Sequence, residues 1–128
     1  MERPIKFRFW TGNGFDYYGW VKDEDVGRHY FRGPVTAKGM SQQDIYGVTE
    51  QYTGLRDSKG VEIYEGDILS CGDTFDKVEW SDDDMMWFLS WGDGNLPLYE
   101  GVDSLRSEVI GNIHENPELV EEYADTGN

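Results

Sequence analysis

The stretch whose reading decides the fold is QYTGLRDSKGVEIYEGDIL, residues 51–69. Two turn signals divide it. Asp57-Ser58-Lys59-Gly60 has Asp at the first and Gly at the fourth position of a type I turn, the placement that turn favours, and predicts a reversal that sets residues 52–55 against 61–64. Glu65-Gly66-Asp67 then makes a second turn and launches a strand over 68–71. Its apolar positions Tyr52, Leu55, Val61, Ile63, Tyr64, Ile68 and Leu69 suffice to anchor a sheet, and its polar positions fall at the turns. The stretch therefore reads as scaffold. Gln51, Arg56 and Glu65 are the residues in it left as candidates for contact.

Upstream, Ile5, Phe7 and Phe9 alternate with Lys6, Arg8 and Trp10. This period of two predicts a strand over 4–10 with one buried face. Thr11-Gly12-Asn13-Gly14 supplies residues tolerant of positive φ, so 15–21 is expected to return as the second arm of a hairpin. Between 22 and 50 the pattern is less regular: Asp23-Glu24-Asp25 reads as a charged tip, Gly33-Pro34 as a turn, and Gly39 and Gly47 interrupt any long helix. One helical turn over 41–44, capped by Ser41, is expected there, with 45–52 extended after it.

Downstream, 77–80 and 85–91 read as strands flanking the polar tip Ser81-Asp82-Asp83-Asp84. Alternation puts Met86 and Phe88 on one face and Met85, Trp87, Leu89 and Trp91 on the other, so the strand is apolar on both sides and is expected to be central or covered. Gly92-Asp93-Gly94-Asn95 turns the chain, 96–99 reads as extended, and 108–113 as a last strand. Asn116-Pro117-Glu118 offers a cap, a proline at the first helical position and an acidic first turn, so a short helix over 117–124 follows and 125–128 fray.

With 128 residues the chain fits a single domain: an amino-terminal hairpin and variable segment over 1–50, a β core over 51–113, and a helix and tail over 114–128. Aromatic residues make up 15% of a chain that is only 38% hydrophobic, so burial rests on Trp, Tyr and Phe. Sixteen glycines among these residues favour short strands and tight turns, hence a mainly β fold. Cys71 is the single cysteine, MERPIKFRFW has no apolar signal core, and no run approaches the roughly 20 apolar residues that cross a bilayer. A cytoplasmic protein is expected, with no membrane partner.

The net charge of −15 is uneven: residues 1–64 hold nine acidic and nine basic groups, and 65–128 hold seventeen acidic groups against Lys77 and Arg106. Such a field repels phosphates and attracts basic protein surfaces, with a reach of about 8 Å at physiological salt. Direct nucleic-acid binding is thus not expected, although the Trp and Tyr set could stack on single strands. The basic groups are sparse, Lys6 with Arg8 and Arg28 with Arg32.

Several chemistries lack their residues. Asp82, Asp83 and Asp84 are adjacent and do not follow a calcium-loop pattern. His29 and His114 have neither an HExxH spacing nor a CxxC pair for zinc, and Cys71 sits near Asp73 and Asp76, which blunt a thiolate nucleophile. No GxxxxGK[ST] loop or strand-linked GxGxxG is present, so no nucleotide cofactor is expected. Neither catalytic, metal nor cofactor-binding residues are assigned.

IKFRFW at 5–10, QYTGLRDSKGVEIYEGDIL at 51–69 and EVIGNIHENPELVEE at 108–122 together resemble the YopX family of phage and prophage proteins in order and spacing, and KVEWSDDDMMWFL at 77–89 fits its more variable strand pair. The resemblance implies a strongly bent antiparallel sheet or small barrel with a short carboxy-terminal helix, in a phage or prophage protein of a bacterial cell. It carries no catalytic residue set. The leading expectation is a non-enzymatic accessory protein that binds an unknown host or phage protein, with Asp82, Asp83, Asp84, Trp87 and Trp91 as the candidate surface. Two alternatives stand beside it: an acidic mimic of nucleic acid that occupies a basic DNA-binding protein, and a ligand binder or enzyme with a pocket lined by Trp80, Trp87 and Trp91. Self-association through an open sheet edge is a further option.

Overall fold

Residues 5–23, 28–32, 41–71, 74–91, 96–105 and 107–127 are described by a computed structural model. The turns expected at 24–25, 33–34, 39 and 92–95 lie outside them, as do the side chains of His29 and Cys71. The elements are β1 (Lys6–Trp10), β2 (Phe15–Asp23), β3 (Arg28–Arg32), α1 (Gln42–Gly47), β4 (Thr49–Arg56), β5 (Glu62–Tyr64), β6 (Asp67–Cys71), β7 (Thr74–Ser81), β8 (Met86–Leu89), β9 (Leu96–Pro97), α2 (Leu98–Leu105), β10 (Glu108–Asn112) and α3 (Pro117–Gly127). The protein is mostly β, in two bent antiparallel sheets that do not close into a barrel. Strand orders are β3-β2-β1-β4-β5 and β10-β6-β7-β8-β9. The chain divides into two compact units, Met1–Gly54 and Leu55–Asn128, so the boundary falls inside the 51–69 stretch.

In the first unit β1 pairs with β2 from Lys6↔Gly19 to Trp10↔Phe15 and with β4 at Phe7↔Gln51, Arg8↔Glu50 and Phe9↔Thr49. The expected hairpin is present, its loop closed by the Thr11 N–H donating to the Gly14 carbonyl at 2.9 Å. Phe9, Tyr18 and Ile45 form the core, with Phe7 packed against them. Ile45 comes from α1, whose start is the expected cap: the Ser41 hydroxyl accepts from the Asp44 N–H, and the Asp44 carboxylate accepts from the Ser41 N–H. The Ser41 backbone N–H, and after it the Ser41 hydroxyl, hold the Asp44 carboxyl below its ordinary pKa.

Two expectations are corrected here, and one strand is added. Residue 45 does not begin a strand, because α1 continues to Gly47 and extended structure resumes only at Thr49. β3, RHYFR, gave no alternation to read, yet it pairs with β2 from Gly19↔Arg32 to Asp23↔Arg28. The second face of β1 is not solvent-facing, since Arg8 is only 4% exposed. Its Nε donates to Glu50 Oε1 at 2.9 Å, and its guanidinium lies 4.0 Å from the Phe15 ring centroid. The sequence's basic pair Lys6 and Arg8 is thus engaged internally, Lys6 standing 5.7 Å from the Tyr52 ring centroid.

In the second unit Ile63, Leu69, Val78, Leu89 and Leu98 are fully buried, and Leu55, Trp87, Leu96, Val102 and Val109 pack against them. β8 lies between β7 and β9, as a central strand does; Trp87 and Leu89 on one face join the core, and Met86 and Phe88 on the other are half-buried. Val61, counted above as an anchor, is 48% exposed instead. The extended reading of 96–99 is also corrected, because α2 begins at Leu98. Leu98, Val102 and Leu105 do have helical spacing, but the short apolar run and Gly101 hid it. α3 runs to Gly127, beyond the expected end at 124.

The Asp57 turn forms as expected, its Gly60 N–H donating to the Asp57 carbonyl at 3.0 Å. Gly66, at the second turn, donates its N–H to the Val78 carbonyl and accepts from the Ile113 N–H through its own carbonyl, tying the turn to chain on both sides. Asp67 is buried, and its Oδ2 accepts from the Tyr64 N–H at 2.8 Å, which closes the turn from within.

Candidate interaction surface

The β7–β8 hairpin carries most of the residues singled out above. Its register runs from Val78↔Leu89 through Trp80↔Trp87 to Ser81↔Met86, so the loop is Asp82-Asp83-Asp84-Met85, one residue later than alternation suggested. Met85 is therefore in the loop and not on the Trp87 face. It takes φ 53, the left-handed region that costs an L-residue roughly 1–2 kcal/mol, and it is 71% exposed.

The tip is pinned by its own polar groups. The Ser81 hydroxyl accepts from the Asp84 N–H at 3.1 Å and donates to Asp84 Oδ2 at 3.4 Å. The Trp80 Nε1–H donates to Asp82 Oδ1 at 2.9 Å. Trp80, 39% exposed, meets Trp87 edge-on with ring centroids 5.1 Å apart. Trp87 is half-buried because its other side packs on the core. Asp82, Asp83 and Asp84 are all exposed.

Trp91 belongs elsewhere. Its ring stacks edge-on against Phe75 at 5.9 Å, and its backbone N–H donates to Asp76 Oδ1. Phase along β7 puts Phe75 five residues from Trp80, roughly 16 Å at 3.3 Å per residue. The structure thus brings Trp80, Trp87 and Asp82 together, and Trp91 forms a separate aromatic pair. Trp80 and Met85 are the tip residues that sequence reasoning left out of the surface. The signal for Trp80 was its cross-strand pairing with Trp87, which follows once the loop is placed correctly.

On the opposite face of the same hairpin Glu79 accepts from Lys77 Nζ at 2.9 Å. Partial burial raises the Glu79 pKa, but hydrogen bonds from Lys77 and Ser90 outweigh it and hold the carboxyl below its ordinary value. Among the contact candidates of the central stretch, Gln51 is exposed, Glu65 is half-buried, and Arg56 donates to the Gly60 carbonyl and pairs with Glu62 at 3.6 Å. Among the described residues no three His, Cys, Asp or Glu side chains stand together as metal ligands would, and no helix is long and apolar enough to cross a membrane.

The YopX protein family matches residues 6–121, nearly the whole chain. The chain belongs to the YopX family. Among solved structures, the crystal structure of protein EF1440 from Enterococcus faecalis is similar, with 23% identity, a TM-score of 0.60, and coverage of 93% of this chain and 99% of that one. At that identity the likeness speaks for the fold alone. A search of functionally curated proteins finds no match. The YopX stretches at 51–69 and 108–122 hold the two turns and the β10–α3 corner, where Asp57, Asp67, Asn112 and Asn116 have structural roles.

Proposed function

We propose that this YopX protein is a non-enzymatic phage or prophage accessory protein of the bacterial cytoplasm that works by binding another protein through the β7–β8 tip. The observation that carries the reading is two exposed apolar side chains, Trp80 near the end of β7 and Met85 in the pinned loop, beside three exposed aspartates. Aromatic and methionine side chains give contact area, and a surrounding polar rim of one sign selects the partner. The complement is a basic surface with an apolar slot. Holding the loop in one conformation before contact reduces the entropy lost on binding.

The test is affinity capture from lysogenic or infected cells with three baits: wild type, Asp82→Lys/Asp83→Lys/Asp84→Lys, and Met85→Ser. The reading expects a basic protein that both variants lose, with binding that weakens as salt rises. A partner retained by both variants would refute the tip as the contact. The nucleic-acid mimic predicts a different result: binding that survives Met85→Ser and depends on the acidic unit at large, where Glu118, Glu121 and Glu122 of α3 are also exposed.

A further inference from the structure

β10 stands at the edge of its sheet, with β6 as its strand neighbour. An edge strand offers every second residue's N–H and C=O outward, where another chain can pair with them. Three of these groups in β10, and one just before it, are occupied by side chains and turns. The outward N–H of Val109 donates to Asp57 Oδ2 at 2.9 Å, and the Ser107 carbonyl just before the strand accepts from the Ser58 N–H at 3.1 Å. At the other end the Asn112 N–H donates to Asn116 Oδ1 at 3.2 Å, and the Asn112 carbonyl accepts from the Asn116 N–H at 3.0 Å. Between these clasps the ladder shifts register at Ile110, which is exposed.

The Asp57 clasp is divided between its two oxygens. Oδ1 accepts from Lys59 N–H at 2.9 Å and from Val61 N–H at 2.8 Å, which shapes the turn, while Oδ2 serves only the edge among the bonds above. Asp57 itself is 7% exposed. A residue needed only for the turn would use one oxygen, so the second bond, to a residue 52 positions away, has a separate consequence.

We infer that the 57–61 turn is an edge guard, in which Asp57 occupies the outward Val109 N–H of β10 and Ser58 the Ser107 carbonyl just before it, so that this edge is kept from pairing with the β10 of a second copy. A second copy is the occupant to which an unguarded edge is always complementary, because two identical strands pair antiparallel about a twofold axis. The exposed Ile110 on the same strand gives such a pair an apolar contact. The unit's charge, nineteen acidic against four basic groups over residues 55–128, opposes self-association at low salt. The guard therefore matters most when salt shortens the reach of that charge.

Two variants open the edge without removing the turn. Asp57→Asn retains one acceptor oxygen for Lys59 and Val61 and places an NH2 group against the Val109 N–H. Ser58→Pro deletes the N–H that serves Ser107 and puts proline at the second position of a type I turn, where it is favoured. Lys59→Ala is the control, since it keeps every backbone bond of the turn and removes an exposed side chain that pairs with Glu108 at 3.6 Å. Sedimentation equilibrium of the full chain in 1 M salt, with a Debye length of about 3 Å, is the measurement. Asp57→Asn and Ser58→Pro are expected to dimerise at least about tenfold more tightly than wild type, the factor that recovered backbone hydrogen bonds imply, and Lys59→Ala to match wild type. Folded Asp57→Asn and Ser58→Pro proteins that associate no more than wild type overturn the guard. If Asp57→Asn does not fold, the Ser58→Pro result decides alone.

Discussion

In the first unit Arg8 and Glu50 are buried side by side and neutralise each other, whereas in the second Asp57, Asp67 and Asp76 accept hydrogen bonds from backbone amides. The charge totals follow the same division. Residues 1–54 hold seven acidic and seven basic groups, so the whole net charge of −15 belongs to residues 55–128. The acidity of the second unit is thus partly architectural. A carboxylate that bonds amides far apart in sequence fixes turns and edges, as an arginine–carboxylate pair does not.

The largest expected effect breaks the neutral half of that comparison. Arg8→Met leaves Glu50 buried without its cation and should destabilise the chain by about 3–5 kcal/mol, while Arg8→Met/Glu50→Leu should recover most of the loss. Urea unfolding of the three proteins checks this. Equal stability of Arg8→Met and wild type would mean that Glu50 finds water or another donor.

Next in size is Gly111→Ala. A Cβ there would lie 2.6 Å from Asn116 Cγ, so the Asn116 side chain must leave the Asn112 N–H and Glu118. The cost should be about 1–3 kcal/mol, as for other overpacked sites, and amide exchange at Asn112 should accelerate. Gly60→Ala sharpens the contrast: a Cβ there meets nothing within 4 Å, so only the positive φ of 84° is penalised, at about 1 kcal/mol.

The smallest effect is on pH dependence. Burial raises the Asp57 pKa, but the bonds from Val109, Val61 and Lys59 and the nearby Lys59 charge outweigh it and bring the value below normal. A carboxyl whose pKa is lower in the folded state stabilises the fold fully above its unfolded value, about 3.9, and loses that contribution as pH falls through the folded value. Wild-type stability should therefore drop on acidification below about pH 4. Asp57→Asn, already lower at pH 7, should show a shallower acid slope. Parallel slopes in thermal unfolding would show that Asp57 is not among the linked groups.

Local chemistry was readable from the sequence and long-range pairing was not. Asp57-Ser58-Lys59-Gly60 and the Ser41 cap each act within a few residues and form as expected, and α3 starts at Pro117 as expected, although the Asn116 side-chain oxygen accepts from the Asn112 N–H instead of capping the helix. Arg8 with Glu50 and Asp57 with Val109 are 42 and 52 positions apart, and nothing in either local pattern names the partner. Trp91 illustrates the same limit at the candidate surface: its nearness to Trp87 in sequence suggested one cluster, but Phe75 takes its ring. Met85 was misplaced by one residue because a left-handed loop position does not show in alternation.

The most direct test of a carboxylate-built edge is the hydrogen-exchange rate of the Val109 amide in the wild-type monomer at neutral pH. The account predicts protection close to that of the sheet interior, lost selectively in Asp57→Asn while the core amides of Leu69 and Val78 stay slow. Fast exchange of Val109 in the wild type, or unchanged protection in Asp57→Asn, would contradict it.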